Sequence, residues 1–148
     1  MTITSNSFEI ELIDSVNRLV QAASSATFNG VGWSPKVILG HVSDVDEQVW
    51  LGRINMMVQA HRAEQSRPAF SWWEPDPHAT QLKYENFSLD DAITHLLSAR
   101  NRLVGTLRNL NKEDWNASAS HMTFGALTIS GIVTQILVHD TEHLDSLG

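Results

Sequence analysis

The chain has no cysteine among its 148 residues, which excludes a disulfide framework, a thiolate zinc site and a cysteine nucleophile of its own. Any metal must be held by histidine, aspartate or glutamate. Positive charge is scarce, with ten Lys and Arg against seventeen Asp and Glu and a formal net charge of −7. Such a chain lacks the basic field that gathers phosphate backbones or anionic lipid, so nucleic acid is not an expected partner. Long apolar runs are missing too. The longest charge-poor stretch, Asn116 to Val138, is broken by Ser118, Ser120, Thr123, Thr128, Ser130, Thr134 and Gln135, so no membrane span is expected. Met1 to Asn6 carry no basic segment leading into an apolar one, and a cytoplasmic location is the expectation. With 42% hydrophobic and 18% charged residues the chain can bury a sizeable core. Its length suits one domain, residues 1–148.

What is present is helical periodicity. Leu12, Val16, Leu19, Val20 and Ala23 recur at helical spacing between Phe8 and about Ser24. Ser34-Pro35 is a start signal for a second helix running to about Ala63, because serine can cap free amides and proline's missing N–H is harmless at the first helical position. Ser88, followed three residues later by Asp91, opens a third helix with a Leu89, Ile93, Leu96, Leu103, Leu107 and Leu110 stripe, ending near Asn111. Thr128 opens the fourth, with Ile129, Ile132, Val133, Ile136, Leu144 and Leu147 three or four apart. No segment alternates like a strand, so the expected class is all-α without a sheet, a four-helix bundle. Gln65 to Phe87 reads as one long loop rich in proline and aromatic residues.

The chemistry points to histidine. At about 100° per residue His139 and His143 lie about 40° apart, one helical turn from each other on the flank of the apolar arc, so their imidazoles can converge. Such a pair forms a bidentate clamp of the kind found in helical His-x-x-x-His metal sites. The run His139-Asp140-Thr141-Glu142-His143 is not the zincin signature, because Asp140 stands where the glutamate base would follow the first histidine. Asp140 falls inside the apolar arc and demands a partner. His41 adjoins an arc of Ile38, Val42, Val45, Val49 and Met56, with Gln48, Gly52, Asn55 and Gln59 on its own side. Arg100 interrupts the leucine stripe and is expected either to pair with Asp140 or to hold an anionic ligand. His61, His78 and His95 read as exposed polar residues, and His121 carries no stronger signal.

The ordered motifs Trp33-Ser34-Pro35-Lys36, His41-Val42-Ser43-Asp44, Gly125 to Thr128 and His139-Asp140-Thr141-Glu142-His143-Leu144 resemble the DinB-like (YfiT-type) superfamily of small bacterial helical bundles. Pro68-Ala69-Phe70, Glu74-Pro75-Asp76, Tyr84, Arg100, and Asp114-Trp115 followed by His121 add to the resemblance. It implies a divalent metal on three histidines, one from the second helix and two from the last, which map onto His41, His139 and His143. Some members are transferases or isomerases that use low-molecular-weight thiols.

Three neutral imidazoles leave a divalent ion positively charged with an open position for Lewis-acid chemistry. Zinc or nickel is the expected metal, with iron or manganese as further candidates. Asp140 is the candidate for accepting a histidine N–H or serving as general base, and Asp44 a weaker one. Trp72, Trp73 and Tyr84 are expected to roof a substrate pocket, with Gln48 and Arg100 as polar contacts. The expected function is a metal-dependent transferase, thiol-dependent in one version, or a hydrolase acting on a small molecule. The rivals are a noncatalytic stress-response module binding a metal or small ligand, and a purely structural bundle. Val138 and Trp50 are expected to face away from the site and to support a homodimer.

Overall fold

The computed structural model describes residues 7–148, so the sequence reading of Met1 to Asn6 lies outside the described residues. The long elements are α1 (Phe8–Ser25), α2 (Pro35–Val45), α3 (Leu51–Arg62), α5 (Leu89–Arg108) and α6 (Ile129–Leu147), with a short α4 (Pro77–Tyr84) before α5. The expected starts are real. Pro35 occupies the first turn of α2, although the Ser34 hydroxyl caps no amide there, the Ser88 hydroxyl accepts from the Asp91 amide at 3.0 Å, and the Thr128 hydroxyl accepts from Gly131 at 3.1 Å. The third helix stops at Arg108, short of Asn111.

Between α2 and α3 the chain stays helical through a π turn, Asp46–Trp50, closed by the Leu51 amide on the Asp46 carbonyl. A π turn carries one residue more than an α turn, so every side chain after it is set back by about 100°. The buried set accordingly jumps five residues, from Val49 to Ile54, and then continues with Met57 and Val58, while Met56 is 52% exposed.

Two other expectations fail. Gln65 to Phe87 is not a loop throughout, because it holds β1 (Ala69–Phe70) and α4, whose start is capped by Asp76 accepting from the amides of His78 and Ala79. Nor is the chain without a sheet. β2 (Ser118–His121) and β3 (Gly125–Thr128) form an antiparallel hairpin, and β1 pairs parallel to β2 with Phe70 opposite His121. The strands run two to four residues, and β2 is Ser-Ala-Ser-His, so the β-branched run that marks a strand is missing. Gly125 takes φ 71° where the hairpin turns.

The core divides into two apolar clusters. One contains Leu12, Ile54, Leu103, Ile132 and Ile136 and extends to Leu127 of the hairpin. The other contains Val16, Leu19, Leu39, Val42 and Leu96, with Leu144 packed on it. Between their contributions to the two clusters, the long helices each place a buried polar residue: Ser15, Asp46 at the α2–α3 junction, Arg100 and Asp140. A polar layer therefore crosses the bundle. No helix among the described residues is long and apolar enough to cross a membrane.

Candidate metal centre

His139 and His143 project one turn apart from α6, and His41 meets them from α2. The Nε2 atoms of His41 and His139 lie 3.2 Å apart, and those of His143 and His139 lie 3.1 Å apart. One ring nitrogen from each of the three lies within 4.8 Å of the others. Aromatic rings hold this arrangement in place. Trp33 packs 5.0 Å from the His41 ring, Trp73 stacks on the same ring at 6.5 Å, and Trp50 stands edge-on to His139 at 6.2 Å.

Burial, followed by the proximity of the other rings, pushes His41 and His139 down to about 3, and burial also lowers His143. All three are therefore neutral near pH 7, and each neutral ring keeps one nitrogen lone pair. Lone pairs meeting at about 3 Å repel unless a proton or a cation lies between them. Tetrahedral coordination at about 2.0–2.1 Å separates ligand nitrogens by about 3.3–3.4 Å, close to the contacts seen. The donor set fits a divalent ion, and it is all nitrogen.

The polar layer fixes the backbone beneath these rings. Arg100, fully buried, donates from Nε and Nη2 to Asp46 at 2.7 and 3.2 Å, from Nη1 and Nη2 to Asp140 at 2.8 and 2.9 Å, and from Nη1 to the Leu12 carbonyl at 3.0 Å. The Ser15 hydroxyl donates to Asp140 at 2.7 Å. Burial alone would lower the Arg100 pKa, but the Asp46 and Asp140 carboxylates outweigh it and the net shift is upward. Asp46 is pushed up to about 6 by burial, against the pull of Arg100. Asp140 thus accepts from Arg100 and Ser15 rather than from a histidine, and among the described residues no hydrogen bond satisfies the buried Nδ1 of His139.

The three histidines open into a cavity of about 350 Å³ whose other walls come from the α2–α3 helix, the segment after β1, the hairpin and α6. Trp72 and Trp73 line it as expected. Three other expected pocket residues do not. Gln48 is exposed, because the π turn brings Val49 to the side that regular winding would give Gln48. Arg100 is consumed by the polar layer. Tyr84 is fully buried on a different face of α2, where its hydroxyl donates to Asp44 at 2.5 Å and its ring covers Gly40. Asp44 also accepts from Lys83 at 2.8 Å, and among the described residues it hydrogen-bonds none of the three histidines.

Trp50 and Val138, expected to face outward, line the cavity instead. With the π turn counted as one inserted residue, Arg53 falls about 20° from His41 and joins the wall. His121, Phe124, Gln135 and Glu142 are further cavity residues that sequence reasoning missed, as are Glu74, Pro75 and Pro77. His95 is half-buried between Tyr84 and Phe87 rather than exposed. His61 is half-buried on Glu113 at 3.0 Å, and His78 is exposed.

A family model of the DinB superfamily matches residues 12–147. The chain belongs to the DinB superfamily. The fold agrees with that of YfiT from Bacillus subtilis, described as a probable metal-dependent hydrolase with an unusual four-helix bundle topology. The TM-score is 0.73 at 14% identity, and the match covers 99% of this chain and 86% of that one. No curated protein matches this DinB-superfamily chain.

Proposed function

We propose that the protein is a metal-dependent hydrolase of a small molecule, with a divalent ion held by His41, His139 and His143. The observation that carries this is the mutual approach of three neutral Nε2 atoms at the head of an aromatic cavity. When bound, the ion supplies Lewis acidity, acidifying a water and polarising an electrophilic oxygen. The all-nitrogen donor set suits zinc or nickel, and accepts iron or manganese. Hydrolysis is preferred to thiol transfer because YfiT, which shares the fold, is described as a probable hydrolase.

The chain's own residues contribute orientation and exclusion of water. Trp33, Trp50 and Trp73 hold the imidazoles and keep bulk water from their apolar faces. Asp140 acts as a positioning residue: locked to Arg100 and Ser15, it sets the rotation of α6 and with it the aim of the adjacent His139. Glu142, exposed at the cavity wall, is the carboxylate on α6 that stands beside the three histidines.

The test is turnover. Protein reconstituted with zinc or nickel is screened against small esters, amides and lactones, with and without chelator. Hydrolysis that disappears in chelator and in His143→Ala supports the proposal. Absence of turnover in protein that retains its metal refutes it and leaves a noncatalytic binding module.

A further inference from the structure

We propose that Arg53 is the substrate's carboxylate anchor, so that the cavity takes a small carboxylate with an aromatic or apolar body. The inference rests on the cavity being the substrate site of the function proposed above. Arg53 is half-buried in α3, just beyond the π turn, and lines the cavity together with the three histidines. Its guanidinium carbon lies 4.9 Å from the centroid of Phe70 and 6.0 Å from that of Trp50, and its Nη2 donates to the Ser71 carbonyl at 2.8 Å. The fork is therefore held in place before any ligand arrives, which reduces the ordering needed on binding.

What it lacks is an anion. Among the described residues Arg62, Arg100, Arg102 and Arg108 each pair with a carboxylate, whereas Arg53 does not; Arg18 and Arg67 also lack a carboxylate partner, but both are exposed to solvent and Arg53 is half-buried. With one Nη2 hydrogen on Ser71, and with Nε and Nη1 making no hydrogen bond among the described residues, the second Nη2 hydrogen and one of these neighbours leave one edge of the fork available. The neighbouring His121 cannot neutralise it, being a neutral ring whose Nδ1 accepts from the amides of Thr123 and Phe124. Glu74 and Glu142 also line the cavity, but both are exposed and neither forms an ion pair with Arg53. A half-buried cation with free planar donors matches a singly charged carboxylate in geometry and charge. The walls beside it, Trp50, Trp72, Trp73 and Phe124, match a flat apolar body.

The test uses two probes of one shape, 2-naphthoate and the uncharged 2-naphthalenemethanol, titrated calorimetrically into metal-free protein in chelator. The wild-type protein should bind naphthoate at least tenfold more tightly than the alcohol. Arg53→Met should erase that preference and leave the alcohol's affinity unchanged, while Arg53→Lys, a cation without the fork, should retain only part of it. Equal binding of the two probes to wild type, equal weakening of both by Arg53→Met, or no naphthoate binding at millimolar concentration overturns the proposal. If Arg53→Met does not fold, Arg53→Lys decides, and an undiminished preference there overturns it. Since no metal is present, these failures are distinct from failure of the metal site, which would appear as absent ion uptake.

Discussion

Replacing Arg100 by methionine removes the cation from the polar layer and leaves the rest of the bundle's contacts in place. The wild-type guanidinium makes five hydrogen bonds, to Asp46, Asp140 and Leu12. Without it, two carboxylates with side-chain exposures of 0% and 2% face each other across the core. Breaking a buried pair in this way costs about 3–5 kcal/mol, a large share of the roughly 5–15 kcal/mol that holds a domain folded. The stranded carboxyls escape part of this by taking up protons, so the deficit should shrink as the pH falls from 7 to 5. Urea unfolding followed by far-UV circular dichroism at both pH values measures it. A variant within about 1 kcal/mol of wild type at pH 7, or a deficit as large at pH 5 as at pH 7, refutes the role assigned to the layer.

Three further outcomes are expected. Below pH 6.5 the unfolded chain protonates His41, His139 and His143 while the folded chain, with these groups depressed, does not, so metal-free stability falls as the pH drops. Asp46 opposes this between its ordinary value and about 6, because there the folded state holds the extra proton, and stability from it is lost as pH rises through 6. The slope should be roughly 1.4 kcal/mol per pH unit for each net proton, and urea titrations in chelator showing stability flat or rising from pH 6.5 to 5.5 contradict the assignment. Gly40→Ala would set a Cβ 2.3 Å from the Tyr84 ring, so a loss of about 1–3 kcal/mol is expected in thermal unfolding, and a neutral result removes the close approach as a constraint. Asp140→Asn, which loosens the Arg100 and Ser15 contacts that set the rotation of α6, should weaken metal affinity severalfold, read by competition with a chromophoric chelator, while Gln48→Ala leaves it unchanged. The reverse ranking would undo the placement of both.

Much of the helical frame was legible because its signals are local. Ser34-Pro35, Ser88 with Asp91, and Thr128 mark helix starts, and the spacing of His139 and His143 fixes their common face by helical geometry alone. The approach of His41 to that pair came from the family resemblance; its own periodicity placed it only on an inward-capable flank. The π turn leaves no local start signal of its own, and that one inserted residue misassigned Gln48, Trp50 and Met56 and kept Arg53 out of the candidate site. Its trace was the five-residue gap from Val49 to Ile54 in an otherwise three-and-four pattern. The sheet was invisible because strands of two to four residues, with one large apolar side chain at most in each, owe their pairing to the helices they rest on, not to their own propensity. Tyr84 shows a second limit. The pairing of Arg100 with Asp140 was one of two alternatives offered by their positions and is the one found, but nothing local ties Tyr84 to its partner Asp44, 40 positions away in the chain.

The central claim is that three imidazoles from two helices hold one cation. Elemental analysis of tag-free protein, combined with titration of zinc and nickel into chelator-stripped wild type and its His41→Ala, His139→Ala and His143→Ala variants, tests it most directly. One ion per chain, lost or weakened at least a hundredfold in each variant while the fold persists by circular dichroism, is the predicted result. A wild-type protein that takes up no ion, or variants that bind as well as wild type, would contradict it.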